Sequence, residues 1–315
     1  MSSKALRIAF LFLGSFIGAG FASGREIALF FRGAGVLSPI LAGMAAGLFS
    51  YLFVEIGRLS GGKPIKFMFP KYHKIFNIFV AFANFSIFAA MLAGAGYILK
   101  SSIGVYGGAI IAGLASLAIV SGGHEKIKKL NLAAVPFIII VVAILFISKP
   151  SAEFSGEVKV VSPLLYAAMN ALTGGFLAAK MSGETDERDG FYIGATVTVV
   201  LTALITLVYL ASKNYADEEM PLLSLAKSVG LSPLAYALIF TAVMTALSGV
   251  HSSLSSYGKN SAVIFLALGL AASVFGFKTI VDHTYPVIGI VGAAACLAAL
   301  IRVSVLKIKR RNVII

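Results

Sequence analysis

Ten apolar runs, each close to the length needed to cross a bilayer, constrain this chain more than any other feature. They occupy residues 8–31, 36–56, 75–99, 105–120, 130–147, 163–179, 191–210, 231–251, 262–277 and 280–301. A spanning helix needs about 20 apolar residues, within a range of about 17–25. Hydrocarbon offers no partner to a free backbone N–H or C=O, so such runs must be helical. Only Lys278 and Thr279 separate the last two. Composition points the same way: 59% of residues are hydrophobic and 12% charged, against about 45–50% and about 25% in soluble domains. Too little charge remains for a water-facing surface, which excludes a soluble enzyme and a disordered chain. The lone Cys296 excludes a disulfide scaffold. The expected fold class is an all-α polytopic membrane protein, with the lipid bilayer as its first partner.

The formal net charge of +13, from 26 Lys and Arg against 13 Asp and Glu, would point to nucleic acid in a soluble protein. Here it sorts by topology. With both termini cytoplasmic, 18 basic residues fall inside: Lys4, Arg7, Arg58, Lys63, Lys66, Lys71, Lys74, Lys126, Lys128, Lys129, Lys180, Arg188, Lys259, Arg302, Lys307, Lys309, Arg310 and Arg311. Eight fall outside: Arg25, Arg32, Lys100, Lys149, Lys159, Lys213, Lys227 and Lys278. The positive-inside rule therefore selects a multi-pass cell (inner) membrane protein with the N- and C-termini cytoplasmic, and no nucleic-acid partner is required. Lys4 and Arg7 before an apolar run resemble a signal peptide. That run carries Gly14, Gly18, Gly20 and Gly24 and continues into Arg25-Glu26, so it reads as an interrupted first helix.

The segment 149–162, with Pro150, Glu153, Gly156 and Glu157, divides the ten runs into two sets of five of near-equal length, 8–147 and 163–301. An odd number of spans starts the second set on the opposite side of the membrane, which predicts an inverted repeat, 1–149 and 150–315, in one integral membrane domain. The first run of each set is interrupted: Gly18-Ala19-Gly20-Phe21-Ala22-Ser23-Gly24 in one, Asn170-Ala171-Leu172-Thr173-Gly174-Gly175-Phe176 in the other. Matched interruptions expose N–H groups to an anionic group and free carbonyls to a cation. Close helix packing is the other reading, because Gly14/Gly18, Gly20/Gly24 and Gly43/Gly47 have small-xxx-small spacing.

The stretch GSFIGAGFASGREIALFF, Gly14 to Phe31, resembles the first span of the YkvI-like family of amino acid permeases in the amino acid-polyamine-organocation superfamily, whose architecture is the LeuT fold of five plus five inverted spans with broken helices 1 and 6. FVEIGRLSGG, Phe53 to Gly62, is similar to the acidic residue and Gly-Arg ending of the second span in sodium-coupled neurotransmitter transporters. The resemblance implies a secondary transporter of an amino acid or similar small zwitterion, coupled to Na⁺ in the first place and H⁺ in the second, with no organic cofactor. A receptor of the same superfamily that senses small amino acids without transporting them is the alternative. Position by position, it implies that the backbone of Gly18, Ala19 and Gly20 cradles a substrate carboxylate. Phe21, Ala22 and Ser23 would line the pocket, and Asn170, Thr173, Gly174, Gly175 and Phe176 would face it from the sixth span. Asn84 and Ser86 are the third-span candidates. A sodium site would lie between the Gly14 and Ile17 carbonyls and the hydroxyls of Thr241, Thr245 and Ser248, which the three- and four-residue spacing puts on one helical face. Back-bonding of those hydroxyls to their own helix is the other reading.

This chain departs from better-known relatives of that fold. No acidic residue falls in the first break or the eighth span, and the fifth span has no lysine. Arg25 and Asp282 sit at the outer ends of the first and tenth spans, either as a gate or as ordinary interfacial charges. Glu55 has Arg58 one turn on and pairs with it on spacing. His251 is either a proton carrier or a hydrogen-bonded structural histidine. Residues 220–229 read as a short amphipathic helix at the outer face. There is no phosphate-binding GxxxxGK[ST], no HExxH and no Cys/His cluster, so neither an ATPase nor a membrane metalloprotease is expected. The acidic first-span and Met-Pro-His sixth-span motifs of Nramp metal transporters are absent.

Overall fold

A computed structural model describes residues 3–149 and 156–313, and helices carry nearly all of them. In chain order they are α1 (Ser3–Phe16), α2 (Ala19–Ala22), α3 (Arg25–Phe31), α4 (Leu37–Ser60), α5 (Pro64–Met68), α6 (His73–Ile98), α7 (Lys100–Ser121), α8 (His124–Ser148), α9 (Val161–Asn170), α10 (Phe176–Met181), α11 (Glu187–Ser212), α12 (Pro221–Ser228), α13 (Ser232–Ser255), α14 (Ser261–Ser273) and α15 (Phe277–Val313). A π-helical turn, Ala171–Gly175, joins α9 to α10. Among the described residues, seven helices are long and apolar enough to cross a membrane: Leu37–Ser60, His73–Ile98, Lys100–Ser121, Val161–Met181, Glu187–Tyr215, Ser232–Ser255 and Phe277–Ile308. The other three expected runs are the broken α1–α3 and the shorter apolar helices Leu132–Ser148 and Ser261–Ser273.

Two expected boundaries move for a local reason. The last two runs are separated at Gly276 rather than at Lys278 and Thr279, because Gly276 takes a left-handed conformation and its carbonyl accepts the Ile280 N–H at 3.2 Å, which starts α15. The short fourth run extends back to Lys100 through a kink at Gly104. Of the predicted linker, Pro150 and Glu153 lie outside the described residues.

Packing follows the small residues. Gly43 and Gly47 of α4 lie against Thr202 and Thr198 of α11, and a Cβ on Gly47 would stand 2.8 Å from the Gly194 carbonyl oxygen. This is the close approach that small-xxx-small spacing permits. Gly289 of α15 sits on Leu165 of α9 in the same manner. Large apolar side chains such as Ile78, Phe79, Phe82, Ile110, Leu114, Ile140 and Val199 point outward, a surface that suits hydrocarbon.

Ion pairs collect at two opposite faces. At one, Lys4 pairs with Glu184 at 2.8 Å, Arg58 with Glu55 at 2.7 Å, and Lys307 with Glu187 at 2.7 Å. Lys4 and Lys307 lie near the two ends of the chain, so both termini share that face. At the other, Arg25 pairs with Asp282 and Arg32 with Asp217, and Lys278 donates to the Asp217 carbonyl at 3.1 Å. There too the chain after α3 meets the chain before α9 in a parallel bridge, Ala34 to Glu157, where Gly35 N–H donates to the Glu157 carbonyl at 2.8 Å. The chain is a multi-pass membrane protein.

Candidate functional site

The first expected interruption is a true break. The α1 ladder ends where Ile17 N–H donates to Leu13 C=O at 3.1 Å, and resumes where Ala22 N–H donates to Gly18 C=O at 2.9 Å. Between them Gly18 is extended, with φ −97° and ψ −175°. A second joint follows one turn later at Gly24, whose φ of 81° and ψ of 0° only glycine adopts without strain. Every residue from 16 to 28 is buried. Gly18 faces Met91 of α6 and Ala246 of α13. The Ala19 N–H donates to the Met91 thioether at 3.3 Å, a weak acceptor. Met91 carries no polar signal in the sequence, and only the helix crossing identifies it. Ser23, expected to line the pocket, instead closes the turn: its hydroxyl donates to Gly20 C=O at 3.2 Å and accepts the Arg25 N–H at 3.3 Å.

The second expected interruption is not unwound. Asn170, Ala171 and Gly175 keep helical backbone angles and the chain passes through the π turn instead. One extra residue per turn absorbs the two glycines without freeing the backbone. Asn170 Nδ2 donates to Tyr166 C=O at 3.1 Å and the Thr173 hydroxyl to Asn170 C=O at 3.3 Å, so both side chains serve their own helix. Gly174 receives Ser15 of α1, Gly175 lies under the Phe53 ring, and Phe176 packs edge-on against Phe53 with centroids 4.9 Å apart. The π turn thus meets the end of α1 just before the first break.

On α13, Thr245 is buried and its hydroxyl donates to Ala242 C=O at 2.9 Å, the back-bonded reading. Ser248 is fully buried with its hydroxyl unpartnered in the protein, and Thr241 is half-buried. The Gly14 and Ile17 carbonyls lie in the stretch that the helical ladder skips. Asn84 is placed differently from expectation: it donates to Val80 C=O at 3.0 Å and to the Ser253 hydroxyl at 3.3 Å. It stands two turns of α6, about 10 Å, from Met91 and outside the break. Ser86 is buried nearby. His251 has both ring nitrogens engaged, Nδ1 with the Ser116 hydroxyl at 2.6 Å and Nε2 with Ala262 C=O at 3.0 Å, which makes it a structural histidine.

Arg25 and Asp282 do meet, through a two-pronged pair in which Arg25 Nε donates to Asp282 Oδ1 at 2.9 Å. Arg25 also donates to the carbonyls of Ala216 and Glu218 at 3.2 and 3.3 Å. Helix α12 forms where the amphipathic segment was expected, but it is packed inward. Leu222 is buried and its N–H donates to Ser23 C=O at 2.8 Å. The neighbouring Glu219 carboxyl is raised above its ordinary value by desolvation. The expectation that no acid stands in the first break fails. Glu26 is only 4% exposed, and its side chain folds back so far that a Cβ on Gly20 would lie 2.5 Å from its Cδ. Two cavities, of about 420 Å³ beside Arg32, Tyr209 and Asp217 and about 300 Å³ between Phe79, Phe82 and Val287, are lined by no residue of the break.

No family model matches the chain. Over 92% of its length and 94% of the relative's, it is 29% identical to the uncharacterized membrane protein YkvI of Bacillus subtilis. It is 22% identical to the uncharacterized protein YyaD of the same organism, over 89% and 91% of the two chains. Among solved structures it resembles MhsT in complex with L-phenylalanine, with a TM-score of 0.67, 15% identity, and 94% of this chain and 88% of MhsT covered. It also resembles the Eremococcus coleocola manganese transporter, with a TM-score of 0.53, 14% identity, and 97% and 72% coverage. These likenesses establish the fold. The chain is thus a membrane protein of the LeuT fold with its first helix broken, similar to YkvI along nearly the whole of both chains.

Proposed function

We propose that the protein is a secondary transporter of an amino acid or similar small zwitterion, working by alternating access around the first helix break. The observation that carries this is the break itself, buried throughout and covered on one side by the Arg25–Asp282 pair and by α12, whose Leu222 N–H donates to Ser23 C=O. The resemblance to MhsT in a complex with L-phenylalanine supports an amino-acid substrate. The manganese transporter supports transport in general. Among the described residues no three His, Cys, Asp or Glu side chains converge as a metal site would need.

In this reading ten spans form two inverted sets of five, 1–149 and 150–315, with both termini cytoplasmic. The substrate carboxylate takes the Ala19 N–H from the Met91 thioether, a poorer acceptor, against the backbone of Gly18 and Gly20, with Phe21, Ala22 and the π turn at Thr173 to Phe176 around it. Sodium is the first choice of driving ion, and the donors present suit it: the Gly14 and Ile17 carbonyls, the Ser248 hydroxyl, and a lone pair of Thr245. These are hard oxygen ligands for a hard cation. Protons are the second choice. Arg25 and Asp282 gate the outer side.

A thermal-shift screen of the twenty amino acids in detergent, with and without Na⁺, tests the reading. Stabilisation by one zwitterion, enhanced by Na⁺ and followed by gradient-driven uptake into liposomes, is expected. If no zwitterion stabilises the protein in either condition the reading falls, and binding without flux under both Na⁺ and H⁺ gradients would make the protein a sensor.

A further inference from the structure

We propose that Glu26, with Tyr166 and Tyr285 beside it, is a proton-binding site that is loaded while the break is closed and discharged when the Arg25–Asp282 pair parts. All three side chains are at least nine-tenths buried, at 4%, 0% and 1% exposure. All three carry a buried oxygen with no hydrogen bond in the protein: Glu26 Oε2 and the two phenol hydroxyls. Tyr285 lies one turn of α15 beyond Asp282, which holds Arg25, the residue next to Glu26. Tyr166 is fixed there by the rings of Phe30 and Phe31, at 5.6 and 5.5 Å between centroids.

The charges around Glu26 leave it without a cation. Its own helix offers Arg25, which is committed to Asp282 and to two carbonyls. Helix α9 offers Tyr166 alone, and α2 has no ionisable side chain. Helix α15 offers Asp282, already paired, Tyr285, Lys278, which donates to Asp217 C=O at 3.1 Å, and His283, which is exposed and bonded to Thr279 C=O. Helix α11 offers Tyr209, whose hydroxyl donates to Ala34 C=O. A carboxylate taken out of water with no cation to face it binds a proton instead. With that proton the closed break is electrically balanced, since Arg25 and Asp282 neutralise each other and Glu26 is neutral. Gly20 makes the arrangement sterically feasible, because any side chain there would occupy the space of the carboxyl.

Parting of Arg25 from Asp282 admits water from that face. The carboxyl O–H bond then breaks, the proton passes to that water, and the carboxylate is left solvated and one residue from a freed guanidinium. The inference uses the same break as the transport reading and adds a second cation to it, but it requires no substrate to be known.

Infrared spectroscopy of the protein in liposomes, titrated from acid to alkaline pH, reads the site directly. The C=O stretch of a protonated carboxyl is expected to persist at neutral pH, where a solvated glutamate with its pKa of about 4.3 is ionised. It should shift in protein labelled with ¹³C-glutamate and be lost in Glu26→Gln. The label assigns the band to a glutamate, and its persistence in Glu219→Gln separates it from that residue's raised carboxyl. Glu26→Asp, whose band should no longer move with the glutamate label, keeps the assignment testable if Glu26→Gln does not fold. In Asp282→Asn the band should disappear at a lower pH than in the wild type. Absence of the band at neutral pH, or insensitivity to the glutamate label, overturns the site. An unchanged midpoint in Asp282→Asn overturns its link to the gate. A failed substrate screen leaves the band standing, whereas uptake without the band refutes the proton site alone.

Discussion

Gly20 and Gly249 are both buried or half-buried glycines in mid-membrane stretches, and they answer to different demands. A methyl on Gly20 would meet the Glu26 side chain, whereas one on Gly249 would meet nothing within 4 Å. Gly20→Ala is therefore expected to destabilise by roughly 1–3 kcal/mol, the usual cost of overpacking. Gly249→Ala should be neutral or stabilising by up to about 1 kcal/mol from helix propensity. Melting temperatures of the two variants check the contrast. A second residue-scale test concerns Glu219, half-buried in the loop before α12. Burial raises its carboxyl in the folded protein, so the folded state prefers the neutral form, and ionisation above the ordinary carboxylate value of 4.5 costs stability that grows until the raised value is passed. Glu219→Gln should raise the melting temperature at neutral pH, and the gain should vanish below the ordinary value. Glu26 shows where residue-level reading stops. In a straight helix residue 26 lies about 9 Å along and about 240° around from residue 20. The joint at Gly24, which lies between the two residues, turns α3 back, so the contact exists only in three dimensions.

The helices themselves were largely legible, because hydrocarbon permits little else for apolar runs of this length. Small-residue spacing also read correctly on α4, where Gly43 and Gly47 admit Thr202 and Thr198 of α11. Gly47→Leu should push these helices apart and lower the melting temperature, at a cost of about 1–3 kcal/mol or more. Asn84 bonds to Val80 of its own helix and to Ser253 of α13, a depth that is set by the helix crossing and leaves no mark in a polar residue's sequence context. The α3–α15 pair is more exacting. Removing either partner of a fully buried ion pair costs roughly 3–5 kcal/mol, and less is expected here because the Asp282 side chain is 24% exposed. Arg25→Ala and Asp282→Ala should each melt earlier and lose most uptake, with partial recovery in the charge-swapped double variant. Full uptake by both single variants would remove the gate.

Across the whole molecule, equal halves and matched glycine runs led to an expectation of two alike interruptions, and the structure makes them unlike. Among the described residues, no backbone carbonyl receives the N–H of Ala19, Gly20 or Phe21, so the first break turns about Gly18 and Gly24 with little hydrogen bonding to undo. The segment Ala171–Gly175 remains hydrogen-bonded as a π turn. Amide exchange should accordingly be faster at residues 19–21 than at 172–176, and equal rates would argue against the difference. A π turn holds one residue more than the α-helix around it, and letting that residue out moves everything beyond it by about 1.5 Å and about 100°. The first break is thus built like a joint about two glycines, and the second like a screw thread, in which release of one residue would advance the helix beyond it by one step.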